Sequence, residues 1–287
     1  MKCDFVILTD SSADLPASVL KEYGIGVVEL SLCIDGESKP GSAVEPKAFY
    51  DMLRGKAAVT TSAVNMQSFI EFFEPYLQDG KDILYLGFSS GLSATYTAGK
   101  NAAEELAEKY PDRKIITVDT LAASLGQGLL VTLAAKKAKA GATLEEVAAY
   151  AEENKLKLCH WFTVDDLFFL KRGGRVSAAT AVLGTMLAIK PFMHVDDEGH
   201  LINVSKVRGR RASVDALFDK MKETAVEPEH QLIYICHGDC PEDAEYLSNK
   251  IKAAYPECEV MIGYTGPVIG SHSGPGTLAL FFLGGKR

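Results

Sequence analysis

The stretch from Asp82 to Tyr96, DILYLGFSSGLSATY, constrains the fold more than any other part of the chain. Ile83 to Leu86 is a short apolar run that reads as a buried strand. Gly87 to Gly91 is a hydroxyl-rich turn. From Leu92 to Tyr110 the composition of Ala, Glu and Lys predicts a helix. The first N–H groups of such a helix lack partners inside it, and its dipole favours negative charge. Ser89, Ser90, Ser93 and Thr95 add hydroxyl donors. A phosphate or carboxylate can be held there without Lys or Arg; a helix capped by Ser89 or Ser90 explains the same residues. Gly87-Phe88-Ser89-Ser90-Gly91 also fits G-x-S-x-G, the nucleophile elbow of serine hydrolases. That alternative needs Ser89 as nucleophile and His272 as base.

Upstream, strands and helices alternate. Phe5 to Leu8 is a strand ending in Thr9-Asp10-Ser11-Ser12-Ala13-Asp14-Leu15-Pro16, with Asp14 as an expected N-cap for a helix to Tyr23. Val27 to Ile34 reads as one strand. Asp10 sits where parallel sheets bind ligands, or serves as a turn carboxylate holding backbone N–H groups. Glu45-Pro46 opens a helix, Thr60-Thr61-Ser62 lies in an expected loop, and Met66 to Leu77 is helical. Lys114 to Val118 is a strand. Ala122 to Ala140 is a long apolar helix whose Gly126 and Gly128 allow close approach of another element. Thr143 to Glu146 has the capping-box pattern. The expected first domain is 1–157, a βαβ unit with a mainly parallel sheet.

From Leu158 the pattern changes. Leu158 to Val164 reads as strand, and Asp165-Asp166 open a helix. Phe192 to Val195 with Leu201 to Val204 forms a hairpin signal, hence antiparallel pairing. Leu232 to Cys236 and Glu259 to Ile262 are further strands, and Gly266 to Thr277 is a Gly- and Pro-rich loop carrying His272. The second domain is expected over 158–287, an α/β unit with a mixed or antiparallel sheet.

A formal charge of -8 argues against a nucleic-acid or anionic-membrane binder, since both need a basic surface. Six scattered Cys and no leader peptide point to a reduced, cytoplasmic setting. Cys236-His237 with Cys240 lacks the second ligand pair usual in metal sites. Asp165-Asp166 are explained by the helix dipole as well as by acid–base work.

Taken together these motifs resemble the DegV family of bacterial lipid-binding proteins. Thr9 to Pro16 is similar to its N-terminal signature, followed in family order by Thr61-Ser62, Ser89 to Tyr96, Asp119-Thr120, Gly173-Gly174-Arg175, Lys190-Pro191, Lys206 to Arg211 and Gly266 to Thr277. Ala94 stands where a Gly is usual, and no Pro follows Thr61-Ser62. The resemblance implies two α/β domains holding a long-chain fatty acid as ligand, with no cofactor and no catalytic residue. It places the carboxylate on Thr61 and Ser93 with His272 close by, supported by Ser62, Ser90, Gly91 and Arg175. It implies a carrier, the binding subunit that presents the acid to an ATP-binding fatty acid kinase subunit for conversion to acyl phosphate. The +4 cluster Lys206, Arg208, Arg210 and Arg211 is the expected kinase docking face. Val182 to Met193 is the expected lid for transient ligand exchange with a membrane. A phosphosugar or nucleotide binder using the same helix start is the remaining rival.

Overall fold

The computed structural model describes residues 5–176 and 188–287. The first half runs β1 (Phe5–Asp10), α1 (Ala17–Tyr23), β2 (Gly26–Val28), β3 (Ser31–Ile34), β4 (Glu37–Pro40), α2 (Pro46–Arg54), β5 (Val59–Ser62), α3 (Met66–Gln78), β6 (Asp82–Gly87), α4 (Thr95–Lys109), β7 (Ile115–Asp119), α5 (Ser124–Lys139) and α6 (Leu144–Asn154). The second runs β8 (Leu158–Thr163), α7 (Phe168–Arg172), β9 (Ile189–Val195), β10 (Leu201–Arg208), α8 (Arg210–Thr224), β11 (Leu232–His237), α9 (Pro241–Ala254), β12 (Glu259–Tyr264), α10 (Pro267–Ser273) and β13 (Leu278–Leu283). The expected lid begins at Val182, so its first part lies outside the described residues; Ile189 to Met193 belongs to β9.

Three sheets result. β2-β1-β6-β7 is wholly parallel, β4-β3-β5 is a small antiparallel sheet, and β10-β9-β8-β13-β11-β12 is mixed. In the third only β11 and β12 are parallel neighbours. The parallel sheet is packed on one face by α3 and α4 through Phe69, Phe73 and Leu106. Its other face meets α5 and α6 through Val131, Ala134, Ala135 and Val147.

Helix α5 serves two cores at once. Leu125, Leu129 and Leu130 turn toward the mixed sheet, while Val131, Ala134 and Ala138 turn toward the parallel one. A helix apolar all round is a buried helix, which accounts for its composition. Its glycines permit the contact: a Cβ at Gly126 would lie 2.2 Å from His160 Nε2, and one at Gly128 2.6 Å from the Ala13 carbonyl. α8 and α9 cover the far face of the mixed sheet through Leu217, Met221, Leu247 and Ile251.

Several sequence expectations change. Val27 to Ile34 is two strands, β2 and β3, belonging to different sheets. Thr60-Thr61-Ser62 is strand β5, paired with β3, where the hydroxyl run suggested a loop. Asp14 does not cap α1, because its carboxylate is engaged by Ser124 and the Gly266 N–H. His272 sits in the last turn of α10 instead of a loop. The run Leu278 to Leu283 is a strand that sequence reading left unassigned, inserted between β8 and β11 and buried along nearly its whole length.

Candidate functional site

An apolar cavity lies between the parallel-sheet half and the mixed sheet. One wall comes from Leu30, Phe88, Leu92 and Val268, the other from Phe162, Leu201, Ala279 and Phe281. Thr61, Ser93, Arg175 and His272 are among its polar lining residues. Four segments distant in sequence supply these groups: the end of β5, the turn before α4, the Gly173-Gly174 turn after α7, and α10.

Thr61 Oγ1 and His272 Nε2 lie 2.7 Å apart, although 211 residues separate them. Strand β5 carries Thr61 at an intermediate exposure between Thr60 and Ser62, both exposed. Ser93 Oγ accepts the Thr95 N–H at 3.2 Å and lies 2.9 Å from Thr95 Oγ1. Either hydroxyl can donate in the Ser93–Thr95 contact; when Thr95 donates, the Ser93 proton is available to the cavity. The turn that presents Ser93 is itself closed, since Leu92 and Ser93 donate their N–H groups to the Ser89 carbonyl.

Burial lowers the His272 pKa to about 4, with Arg175 and then Arg172 adding repulsion. The imidazole is therefore neutral near pH 7. Gly173 allows the approach: a Cβ there would fall 2.2 Å from His272 Nδ1. The Arg175 guanidinium hydrogen-bonds the Gly173 carbonyl and forms no ion pair among the described residues.

Other sequence candidates fall elsewhere. Ser62 and Ser90 are exposed and, with Gly91, lie outside the cavity lining. The Ser90 N–H is taken by Asp119 Oδ1 at 3.2 Å, and Gly91 packs on the 198–199 backbone, where a Cβ would meet the Glu198 carbonyl at 2.7 Å. The Ser89–Gly91 turn ahead of α4 is therefore occupied by the protein's own groups. Ser89 is fully buried and donates to the Gly199 carbonyl at 2.9 Å, locking the β9–β10 hairpin onto the turn. No hydrogen bond joins Ser89 to His272 among the described residues, and a nucleophile needs its base within reach. The elbow is a structural latch between the halves.

Asp10 is a buried turn carboxylate that accepts from the N–H and hydroxyl of Ser12, from Tyr85 Oη and from the Phe88 N–H. His237 Nδ1 accepts the Cys240 N–H at 3.3 Å, and Cys236 Sγ accepts from Thr265. Asp166 Oδ1 accepts the Phe168 N–H at 2.8 Å just ahead of α7, and Asp165 pairs with Lys190 and Arg210.

The basic cluster divides. Arg210 is paired with Asp243 at 2.7 Å and Asp165 at 3.7 Å, and the Arg211 guanidinium stacks 3.6 Å above the Tyr246 ring. Lys206 and Arg208 on the edge strand β10 are exposed and form no ion pair among the described residues.

An apolar cavity whose lining includes the Thr61 and Ser93 hydroxyls, the neutral His272 imidazole and the Arg175 guanidinium suits an amphipathic molecule with a small acidic head. A family model described as "Uncharacterised protein, DegV family" matches residues 4–284. The chain belongs to the DegV family. A DegV domain-containing protein of Clostridium perfringens is 50% identical over 286 residues, covering 99% of this chain and 98% of its own length. A solved structure described as fatty acid binding of a DegV family protein from Thermus thermophilus aligns with a TM-score of 0.88 at 30% identity, over 98% of this chain and 99% of that one. The Streptococcus pneumoniae Fatty Acid Kinase (Fak) B3 protein, solved loaded with linoleic acid, shares the fold with a TM-score of 0.85 at 20% identity, over 97% of this chain and 99% of that one. No helix among the described residues is long and apolar enough to cross a membrane.

Proposed function

We propose that this protein binds a long-chain fatty acid in the apolar cavity and presents its carboxylate to a separate ATP-binding kinase subunit. The observation that carries the proposal is the apolar cavity whose lining includes Thr61, Ser93, His272 and Arg175. The description of the Thermus thermophilus relative as fatty-acid-binding supports the ligand class. That of the Streptococcus pneumoniae neighbour motivates the kinase partner.

The acyl tail supplies the affinity. At ~0.8 kcal/mol per buried methylene, roughly sixteen carbons contribute on the order of 10 kcal/mol before the costs of binding. The head is held more lightly. His272 Nε2–H donates to Thr61 Oγ1, whose own O–H then donates to one carboxylate oxygen, while the Ser93 hydroxyl donates to the carboxylate from the other side. An incoming anion favours that direction of the Thr61–His272 bond, because it turns both protons toward the charge. Hydroxyls leave the oxygen more nucleophilic than a bidentate guanidinium clamp would. In the transfer, a carboxylate oxygen forms a bond to the terminal phosphorus of ATP, the bond from that phosphorus to the bridging oxygen breaks, and ADP leaves. The binding subunit orients the acid; the chemistry belongs to the kinase. Docking is assigned to the basic run at the end of β10, with Lys206 and Arg208 the free charges and Arg210 and Arg211 held by neighbours.

The test is mass spectrometry of the ligand recovered on denaturing the purified protein, followed by acyl-phosphate formation with the kinase added. A fatty acid in stoichiometric amount is expected. A polar phosphorylated ligand, or covalent labelling of Ser89 by a fluorophosphonate, would overturn the proposal.

A further inference from the structure

A second imidazole lines the apolar cavity. His160, on β8, is only 2% exposed. Its Nδ1 stands 3.1 Å from the Leu158 carbonyl. A carbonyl oxygen only accepts, so Nδ1 carries the proton. Burial pushes the imidazole pKa well below its ordinary value, with Arg287 and then His194 adding repulsion, so the ring is neutral. Nε2 is then a bare lone pair. It has no hydrogen-bond partner among the described residues.

The groups around it do not supply a donor. A Cβ at Gly126 would come within 2.2 Å of Nε2, yet the Gly126 N–H already donates to the Ala123 carbonyl at 3.1 Å. The Phe281 ring stands edge to face with the imidazole at a centroid distance of 5.3 Å and carries no polar hydrogen. Two hydroxyls of the same lining are committed elsewhere, Ser124 to Asp14 and Thr265 to Cys236 Sγ. Strand register fixes where His160 stands. It faces Phe281 across the β8–β13 pair, and Phe162 faces Ala279; all four line the cavity. Thr277, Ala279 and Phe281 line it at alternate positions, a run of about 13 Å at the usual rise of a strand. The lone pair is thus set in a wall made largely of rings and methyl groups. Buried acceptors are normally satisfied, and one left unmet is costly.

We infer that His160 Nε2 is an acceptor subsite for the acyl chain, receiving the O–H of a hydroxyl carried on the tail, so that this protein favours a hydroxylated long-chain fatty acid. The inference rests on the fatty-acid reading and deepens it. The ligand's carboxylate cannot use the site, because it brings acceptors alone. A keto group or a double bond fails for the same reason. A plain tail covers the lone pair with methylenes and leaves it desolvated. A site that hydrogen-bonds a ligand hydroxyl rejects the analogue lacking it, because its own polar group is left unpaired.

The test measures binding of stearate and of a positional series of monohydroxystearates to the intact protein. The wild type should bind at least one isomer about tenfold or more tighter than stearate. His160→Leu should lose that preference while still binding stearate. His160→Gln, whose carboxamide oxygen can accept from the same hydroxyl, should keep more of the preference than His160→Leu. A preference that persists in His160→Leu would overturn the inference. So would a wild type that binds stearate and favours no isomer. A wild type that binds neither stearate nor any isomer would overturn the fatty-acid reading itself. Should the variants not fold, nitrogen NMR of wild type carrying ¹⁵N-labelled histidine reads the same atom. The His160 Nε2 resonance should move upfield in the complex with the preferred isomer, relative to the stearate complex; equal resonances in the two complexes would refute the subsite.

Discussion

Replacing Asp14 by Asn tests how one buried charge is tied into the wall of the ligand site. The Asp14 carboxylate accepts from Ser124 Oγ at 2.5 Å and from the Gly266 N–H, linking the N-terminal loop to α5 and to the start of α10, the helix that carries His272. Burial raises its pKa from 3.8 to about 7, against the opposing pull of those two hydrogen bonds and with a further push from Asp10. The folded value lies above the free one. The stability this group contributes is therefore complete below pH 3.8 and lost as the pH rises through 7. Between pH 5 and 8.5 the folded protein gives up a proton that the unfolded chain has already lost. Two pH units at about 1.4 kcal/mol each set a ceiling of roughly 3 kcal/mol. Asp14 keeps partial solvent contact. Screening by that solvent lowers the expectation to about 1.5–2.5 kcal/mol. The backbone at Asp14 is left-handed, with φ 53°. Asn tolerates that conformation and carries no charge. Urea unfolding of wild type and Asp14→Asn should give stability differences that shift in favour of the variant by that amount between the two pH values. His272 titrates in both proteins and cancels in the comparison. Parallel stability curves across the range would refute the reasoning, whatever the offset between them.

Further outcomes are expected at the other positions. Ser93→Ala should weaken fatty acid binding by about 1.5–3 kcal/mol, the range for a hydrogen bond to a charged group, with unfolding little changed; an unchanged affinity in the Thr61→Ala, Ser93→Ala double variant would remove both from the head site. His272 has a folded pKa near 4, below its free value, so its stabilising contribution is present above pH 6.5 and lost as the pH falls toward 4. A bound carboxylate raises that pKa, so binding takes up a proton; calorimetry should show affinity rising from pH 7 to pH 5 and the rise vanishing in His272→Gln. Ser89→Ala leaves the Gly199 carbonyl without its donor. It should cost about 1–3 kcal/mol of stability, and wild-type Ser89 should resist fluorophosphonate; labelling would restore the hydrolase alternative. Lys206→Ala with Arg208→Ala should slow kinase association and flatten its salt dependence while ligand loading persists; unchanged acyl-phosphate formation would move docking elsewhere.

Periodicity and punctuation in the sequence determined the local elements. The apolar run Ile83 to Leu86, the Thr143 capping box and the β9–β10 hairpin were legible because strand burial, helix capping and turn chemistry are short-range effects. The motif order was specific enough to carry the family, and it brought Thr61, Ser93, His272 and Arg175 forward as candidates. Contacts between distant segments were not legible. The 2.7 Å approach of Thr61 to His272 spans 211 residues and depends on β5 pairing with β3 and on α10 packing against β5. Insertion of Leu278 to Leu283 between β8 and β11 depends on which apolar run finds which edge, a choice made by the whole core. The fate of polar side chains was decided in the same way. Asp14 and Ser89 read as a cap and a nucleophile, yet the nearest partners in the assembled fold were Ser124 and Gly266 for one and Gly199 for the other. A buried polar group takes whatever partner tertiary packing brings within hydrogen-bonding distance. Residue identity sets which groups can donate or accept; only the packed halves decide whether that capacity is already used.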